Sequence, residues 1–128
     1  MSISMSMPEH FEILENYAAF RPTGKVTLQR AVEMVTDAIA FAREHSIRKL
    51  LVNTSNLTGY EQPDVATRYF FVHDLARAAA RRVRVALVTR PERIDPQKFG
   101  ITVAANIGFI AEVFTSAEDA LKWLEGLK

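Results

Sequence analysis

Two short apolar runs fix most of what this chain can become. Leu50-Leu51-Val52 follows Arg48 and Lys49, and Val85-Ala86-Leu87-Val88 follows Arg84. Neither run alternates with polar residues, so each strand must be covered on both faces, as happens in parallel sheets packed between helices. The residues between them, from Pro63 to Arg82, read as a helix with Pro63 in its first turn.

The flanking sequence supplies the rest of a layered α/β domain. Leu28, Ala31, Val32, Val35, Ala38, Ile39 and Ala42 recur at helical spacing behind Thr27, a suitable N-cap, while Arg30, Glu33, Asp37, Arg43 and Glu44 face water. Upstream, Phe11, Ile13, Tyr17 and Phe20 suit two short strands turning near Glu15 and Asn16, stopped by Pro22 and Gly24. Downstream, Asp95-Pro96 opens a helix ending near Asn106 and Gly108, and Phe109 to Phe114 forms a last strand. Ser116 and Asp119 resemble a capping box before a helix carrying Leu121, Trp123, Leu124 and Leu127. The order ββαβαβαβα predicts a mostly parallel five-stranded sheet with an antiparallel edge strand and four helices. Residues 1–8 are expected to be a flexible tail, and residues 9–128 one domain.

Composition narrows the function classes. At 128 residues, 48% of them apolar, the chain can bury one core, and its net charge of +1 lacks the field expected of a nucleic-acid partner. Without cysteine there are no disulfides, thiolate nucleophiles or cysteine metal sites. Charged residues interrupt every candidate membrane span and the first residues do not read as a secretory signal, so a cytoplasmic location is expected.

Chemistry is sparse. Thr23-Gly24-Lys25 resembles a fragment of a phosphate loop, but Ala19 stands where that motif needs glycine. His10, His45 and His73 lie on three different predicted elements, which gives no metal set. Ser55 has no aligned base: His73 and Asp74, adjacent on a helix, diverge by about 100 degrees. No catalytic group, metal or cofactor is predicted.

Two surpluses remain. Val65, Tyr69, Phe70, Phe71, Val72 and Leu75 occupy more of their helix than one sheet-facing stripe needs. Either Phe70 is covered by a neighbouring helix, or the rings form a wall facing a ligand or partner. Arg77, Arg81, Arg82, Arg84, Arg90 and Arg93 concentrate positive charge near Glu92 alone. Helix-end electrostatics and solubility explain such a cluster, as does contact with an anionic headgroup, a phosphate or an acidic protein surface.

Leu50-Leu51-Val52-Asn53-Thr54-Ser55-Asn56-Leu57-Thr58-Gly59 resembles the corresponding stretch of STAS domains, in particular their SpoIIAA-like branch. The element order agrees, and Glu112 to Leu124 is similar to the family's last strand and helix. Antagonist-type members carry a phosphorylatable serine in the turn opening the helix after the matching strand. Here Gly59-Tyr60-Glu61-Gln62-Pro63-Asp64 has only the hydroxyl of Tyr60, and Glu61 and Asp64 disfavour a further anion. The resemblance therefore implies binding without the usual serine switch. Through the related CRAL-TRIO fold it implies a small apolar molecule or lipid, with transient contact at a membrane surface. The expected ligand contacts are Asn53, Ser55, Leu57, Tyr60, Tyr69, Phe70, Phe71, Phe99 and Val103, with Ile101 beside them. Arg77, Arg81, Arg82, Arg90 and Arg93 are expected to meet an anionic headgroup or protein partner. The alternative is a regulatory protein-interaction domain, and edge strands and aromatic patches permit a homodimer.

Overall fold

The computed structural model describes residues 6–61, 63–94 and 99–127, leaving aside the side chains of Val65 and residues 99–101. The strands are β1 (Phe11–Ile13), β2 (Ala18–Phe20), β3 (Gly24–Lys25), β4 (Lys49–Asn53), β5 (Leu57–Thr58), β6 (Arg84–Val88) and β7 (Ala111–Phe114). The helices are α1 (Leu28–Glu44), α2 (Val65–Ala79), α3 (Phe99–Asn106) and α4 (Ala117–Glu125), with one 3-10 turn at Pro91–Arg93. The main sheet has five strands in the order β1-β2-β4-β6-β7, parallel except for the β1–β2 edge pair. This is the α/β architecture that the two apolar runs predict.

Side-chain alternation along the strands divides the core into two layers. Ala18, Phe20, Leu50, Val52 and Val85 point to the face covered by α1, α2 and α3, where Val35, Ile39, Phe41, Ala79 and Ala104 meet them. Ala19, Leu51, Ala86 and Val88 point to the other face, where Ala120 and Leu124 of α4 cover them. Leu50 and Leu51, neighbours in sequence, are 0% and 2% exposed on opposite faces. Each complete burial contributes about 2 kcal/mol, which is why this run tolerates no polar residue.

The helix starts follow their caps. Thr27 accepts a hydrogen bond from the Arg30 amide at 3.1 Å, and Ser116 accepts one from the Asp119 amide at 3.2 Å. The first turn of α2 departs from expectation: Asp64, not a residue before Pro63, caps the helix by accepting from the Thr67 amide at 2.8 Å. Pro63 therefore stands outside the helix. Ala80, at φ 49°, ends α2 in the left-handed region, short of the expected Arg82. The predicted start at Asp95-Pro96 and residues 1–5 of the expected tail lie outside the described residues.

One element is absent from the sequence reading. β3 and β5 form a separate two-stranded parallel sheet, pairing Gly24 with Leu57 and Lys25 with Thr58. It ties the approach to α1 onto the long loop after β4. Gly59 makes the approach possible: its φ is +100°, and a β-carbon there would meet the Val26 carbonyl oxygen at 2.6 Å.

Candidate functional site

The central strands end together, and the sheet opens there. Thr54 and Thr89 are both buried, the Thr54 amide donating to Val88 O at 2.9 Å and the Thr89 amide to Phe114 O at 3.0 Å. Between this end of the sheet and helices α1, α2 and α3 lies a hollow of about 240 Å³. Its walls are apolar: Val32 and Val35 from α1, Phe71 and Leu75 from α2, Val85 and Leu87 from β6. Thr54, Tyr60, Arg93 and Ile94 line it from the two loops that follow β4 and β6, and Arg68 joins them from α2. Ligands of open parallel sheets bind beyond the carboxyl ends of the strands; the loop end of the hollow reaches that place, while its floor runs back along the sheet face to Val85 and Ala111.

Two arginines hold these loops together. Arg93 donates to the carbonyls of Thr54 at 3.1 Å and Leu57 at 2.6 Å, and to the Tyr60 hydroxyl at 3.1 Å. Arg90 Nε donates to Ser55 O at 2.8 Å. Four residues of the β4 loop, Thr54, Ser55, Leu57 and Tyr60, are thus held by the β6 loop through charged donors, which bond more strongly than neutral ones. The loop's internal geometry is set by Asn53, whose Oδ1 accepts from the Ser55 amide at 2.9 Å.

Of the residues singled out from the sequence, Tyr60, Phe71 and Arg93 line the hollow together. Asn53 and Ser55 lie in the loop and engage each other and Arg90, while Leu57 is fully buried and offers its carbonyl to Arg93. Tyr69 and Phe70 turn outward, 43% and 65% exposed, with ring centres 5.8 Å apart and edge to face. Phe70 is therefore not covered by a neighbouring helix. Val103 is buried outside the lining, and the side chains of Phe99 and Ile101 lie outside the described residues. Arg77 pairs with Asp74 at 3.3 Å, and Arg81 and Arg82 stand at the opposite end of the sheet.

The residues singled out from the sequence for ligand contact include none from α1, which nonetheless lines the hollow. Leu28, Val32 and Val35 face the hollow, while Ala38, Ile39 and Ala42 further along pack in the core. Their spacing of four and three residues is the same signal. What distinguishes them is position, in the half of the helix nearest the long loop.

Among the described residues no group of three His, Asp or Glu side chains could hold a metal ion, and no helix is long and apolar enough to cross a membrane. The Asp64 carboxyl is held below its ordinary value by the hydrogen bond from the Thr67 amide, with a further contribution from the Thr67 hydroxyl. It is a cap, on the rim of the loop that precedes α2.

The order of strands, three helices on one face and one on the other define a STAS-type, SpoIIAA-like fold. The anti-sigma factor antagonist SpoIIAA, in its unphosphorylated form, superposes with a TM-score of 0.51 at 17% identity, covering 91% of this chain and 97% of its own. An uncharacterised DUF3478-family protein from Shewanella loihica PV-4, with a SpoIIAA-like fold, gives a TM-score of 0.51 at 22% identity, covering 94% and 98%. No family model matches the sequence, and neither does any curated protein. The shared property is the fold.

Proposed function

We propose that the chain is a non-enzymatic binding module that takes a small apolar or amphipathic molecule into the hollow between the sheet and α1, α2 and α3. The observation that carries this reading is the hollow itself, about 240 Å³ and walled by Val32, Val35, Phe71, Leu75, Val85 and Leu87. That volume equals about eight water molecules of liquid. Water gains few hydrogen bonds against such walls, whereas an alkyl chain buries its surface at about 25 cal/mol per Å². The polar groups gather at the loop end, where Thr54, Arg68 and Arg93 suit a single polar or anionic terminus. A short-chain carboxylate fits both properties. Native mass spectrometry of the purified protein reads a copurified molecule and the oligomeric state together, and calorimetric titration with octanoate supplies the direct measurement. Saturable binding supports the reading; a molecule of bare protein mass with no octanoate heat removes it.

A second reading rests on the outward rings of Tyr69 and Phe70. The solved SpoIIAA is an anti-sigma factor antagonist, a regulator that acts on another protein. Exposed aromatics on the helix after the long loop favour a protein partner of this chain too. Co-purification in which a Tyr69→Ser, Phe70→Ser variant loses a protein that the parent retains supports this reading, and identical recoveries oppose it.

A further inference from the structure

The opposite end of the sheet carries a second concavity, of a different chemistry. A groove of about 280 Å³ is lined by Arg43, Ser46, Ile47, Arg48, Arg81, Arg82 and Arg84. These side chains come from three places that the topology brings together: the end of α1, the turn into β4, and the turn from α2 into β6. Both turns reverse sharply through left-handed residues, Ser46 at φ 59° in one, Ala80 at φ 49° and Arg81 at φ 62° in the other. The register pairs Lys49 with Arg84, and the Arg84 amide donates to Arg48 O at 2.8 Å, so the two turns lie side by side.

The arginines are not equivalent. Arg43 is structural, donating to Ala78 O at 2.9 Å and to Glu44 at 2.8 Å, which locks the end of α1 to the last turn of α2. The Arg81 guanidinium rests against Gly108, its carbon 3.2 Å from where a β-carbon of that glycine would sit. The side chains of Arg48, Arg81 and Arg82 are exposed, and among the described residues those side chains make no hydrogen bond or ion pair.

Arginines near helix ends ordinarily answer the negative pole of the helix dipole, and two helices end here. Each pole amounts to about half a charge, and Glu44 supplies one more. With Arg43 paired to Glu44 and Arg84 left out of the count, the three exposed guanidinium groups of Arg48, Arg81 and Arg82 exceed the two half-charges by roughly two positive charges in one groove. Dipole compensation accounts for fewer than half of the three. The remainder converge from separate elements on a space large enough for a pair of phosphate groups, which planar guanidinium forks bind bidentately.

We propose that this groove is an anion site for clustered phosphate, either a small polyphosphorylated solute or the headgroup of an anionic phospholipid. It is independent of the apolar hollow at the other end of the sheet. The test is calorimetric titration of the full chain with inorganic pyrophosphate at low and at physiological salt, beside flotation with phosphatidylglycerol vesicles and phosphatidylcholine controls. Two variants are compared with the parent. Arg48→Ala with Arg82→Ala removes two groove charges; Arg21→Ala with Arg30→Ala removes two exposed charges outside it, and melting curves establish that both fold.

Saturable pyrophosphate binding that falls at least tenfold in the groove variant and persists in the control variant supports the proposal and identifies a soluble phosphate. Binding only to phosphatidylglycerol vesicles, lost in the groove variant alone, supports it and identifies a membrane headgroup. No saturable binding below 1 mM in either arm overturns it. So does equal weakening in both variants, which would reduce the effect to net charge.

Discussion

Arg93 sits over Tyr60, its guanidinium carbon 4.4 Å from the ring centre while Nη1 donates to the hydroxyl of the same side chain at 3.1 Å. One residue of the β6 loop thus holds a ring and two carbonyls of the β4 loop. Arg93→Ala leaves the buried Leu57 carbonyl without its charged donor and should cost about 2 to 4 kcal/mol in urea unfolding. Arg93→Lys, with no planar fork, should recover only part of that. Unchanged stability in the alanine variant would show that the loops hold without the clasp.

Filling the hollow separates its structural from its binding role. Ala104 is 2% exposed and lines the hollow from α3. Ala104→Leu adds apolar volume where space exists and is expected to raise stability by about 0.5 to 2 kcal/mol. Octanoate affinity should fall at least tenfold in the same variant. Loss of stability with unaltered binding would place the ligand elsewhere.

The two-residue sheet of β3 and β5 depends on Gly59. Gly59→Ala must accept a φ of +100° and a contact of 2.6 Å with the Val26 carbonyl, so the loop has to move. A loss of about 2 to 4 kcal/mol is expected from denaturant melts. The same substitution at Gly24, where an added β-carbon meets nothing within 4 Å, carries only the backbone strain and should cost less.

Acid sensitivity should reside partly in the α2 cap. Folding lowers the Asp64 carboxyl below its ordinary value because the ionised form accepts the Thr67 amide. Its stabilisation is therefore complete above the unfolded carboxylate range and disappears as the pH falls through the folded value. Asp64→Asn keeps a competent cap without a titrating group. Its melting temperature should approach, and then match or exceed, that of the parent as the pH drops from 5 to 2.

The layers were legible in the sequence because burial on two faces leaves a plain mark, as Leu50-Leu51-Val52 shows. The edge hairpin and the caps at Thr27 and Ser116 were legible for a similar local reason. The hollow was only half legible. Tyr69, Phe70 and Phe71 look alike in sequence, yet the helix turns about 100 degrees between neighbours, so Phe71 faces inward and the other two face out. Hydrophobicity could not decide which stripe would win. β3 escaped because Gly24 and Lys25 carry no strand preference; their pairing with Leu57 and Thr58 is imposed from across the chain. The arginine cluster was visible as composition, but its division into loop clasps at Arg90 and Arg93 and a groove at Arg48, Arg81 and Arg82 is a product of topology.

Three helices lean on one face of the sheet and α4 alone on the other, and the hollow belongs to the crowded side. The molecule is consequently unevenly compressible. Pressure favours states in which water fills poorly packed apolar space, and the hollow of about 240 Å³ places such space on one face of the sheet. Hydrostatic pressure should therefore loosen α1, α2 and α3 before it disturbs the seat of α4, and an occupant of the hollow should make the two faces respond alike.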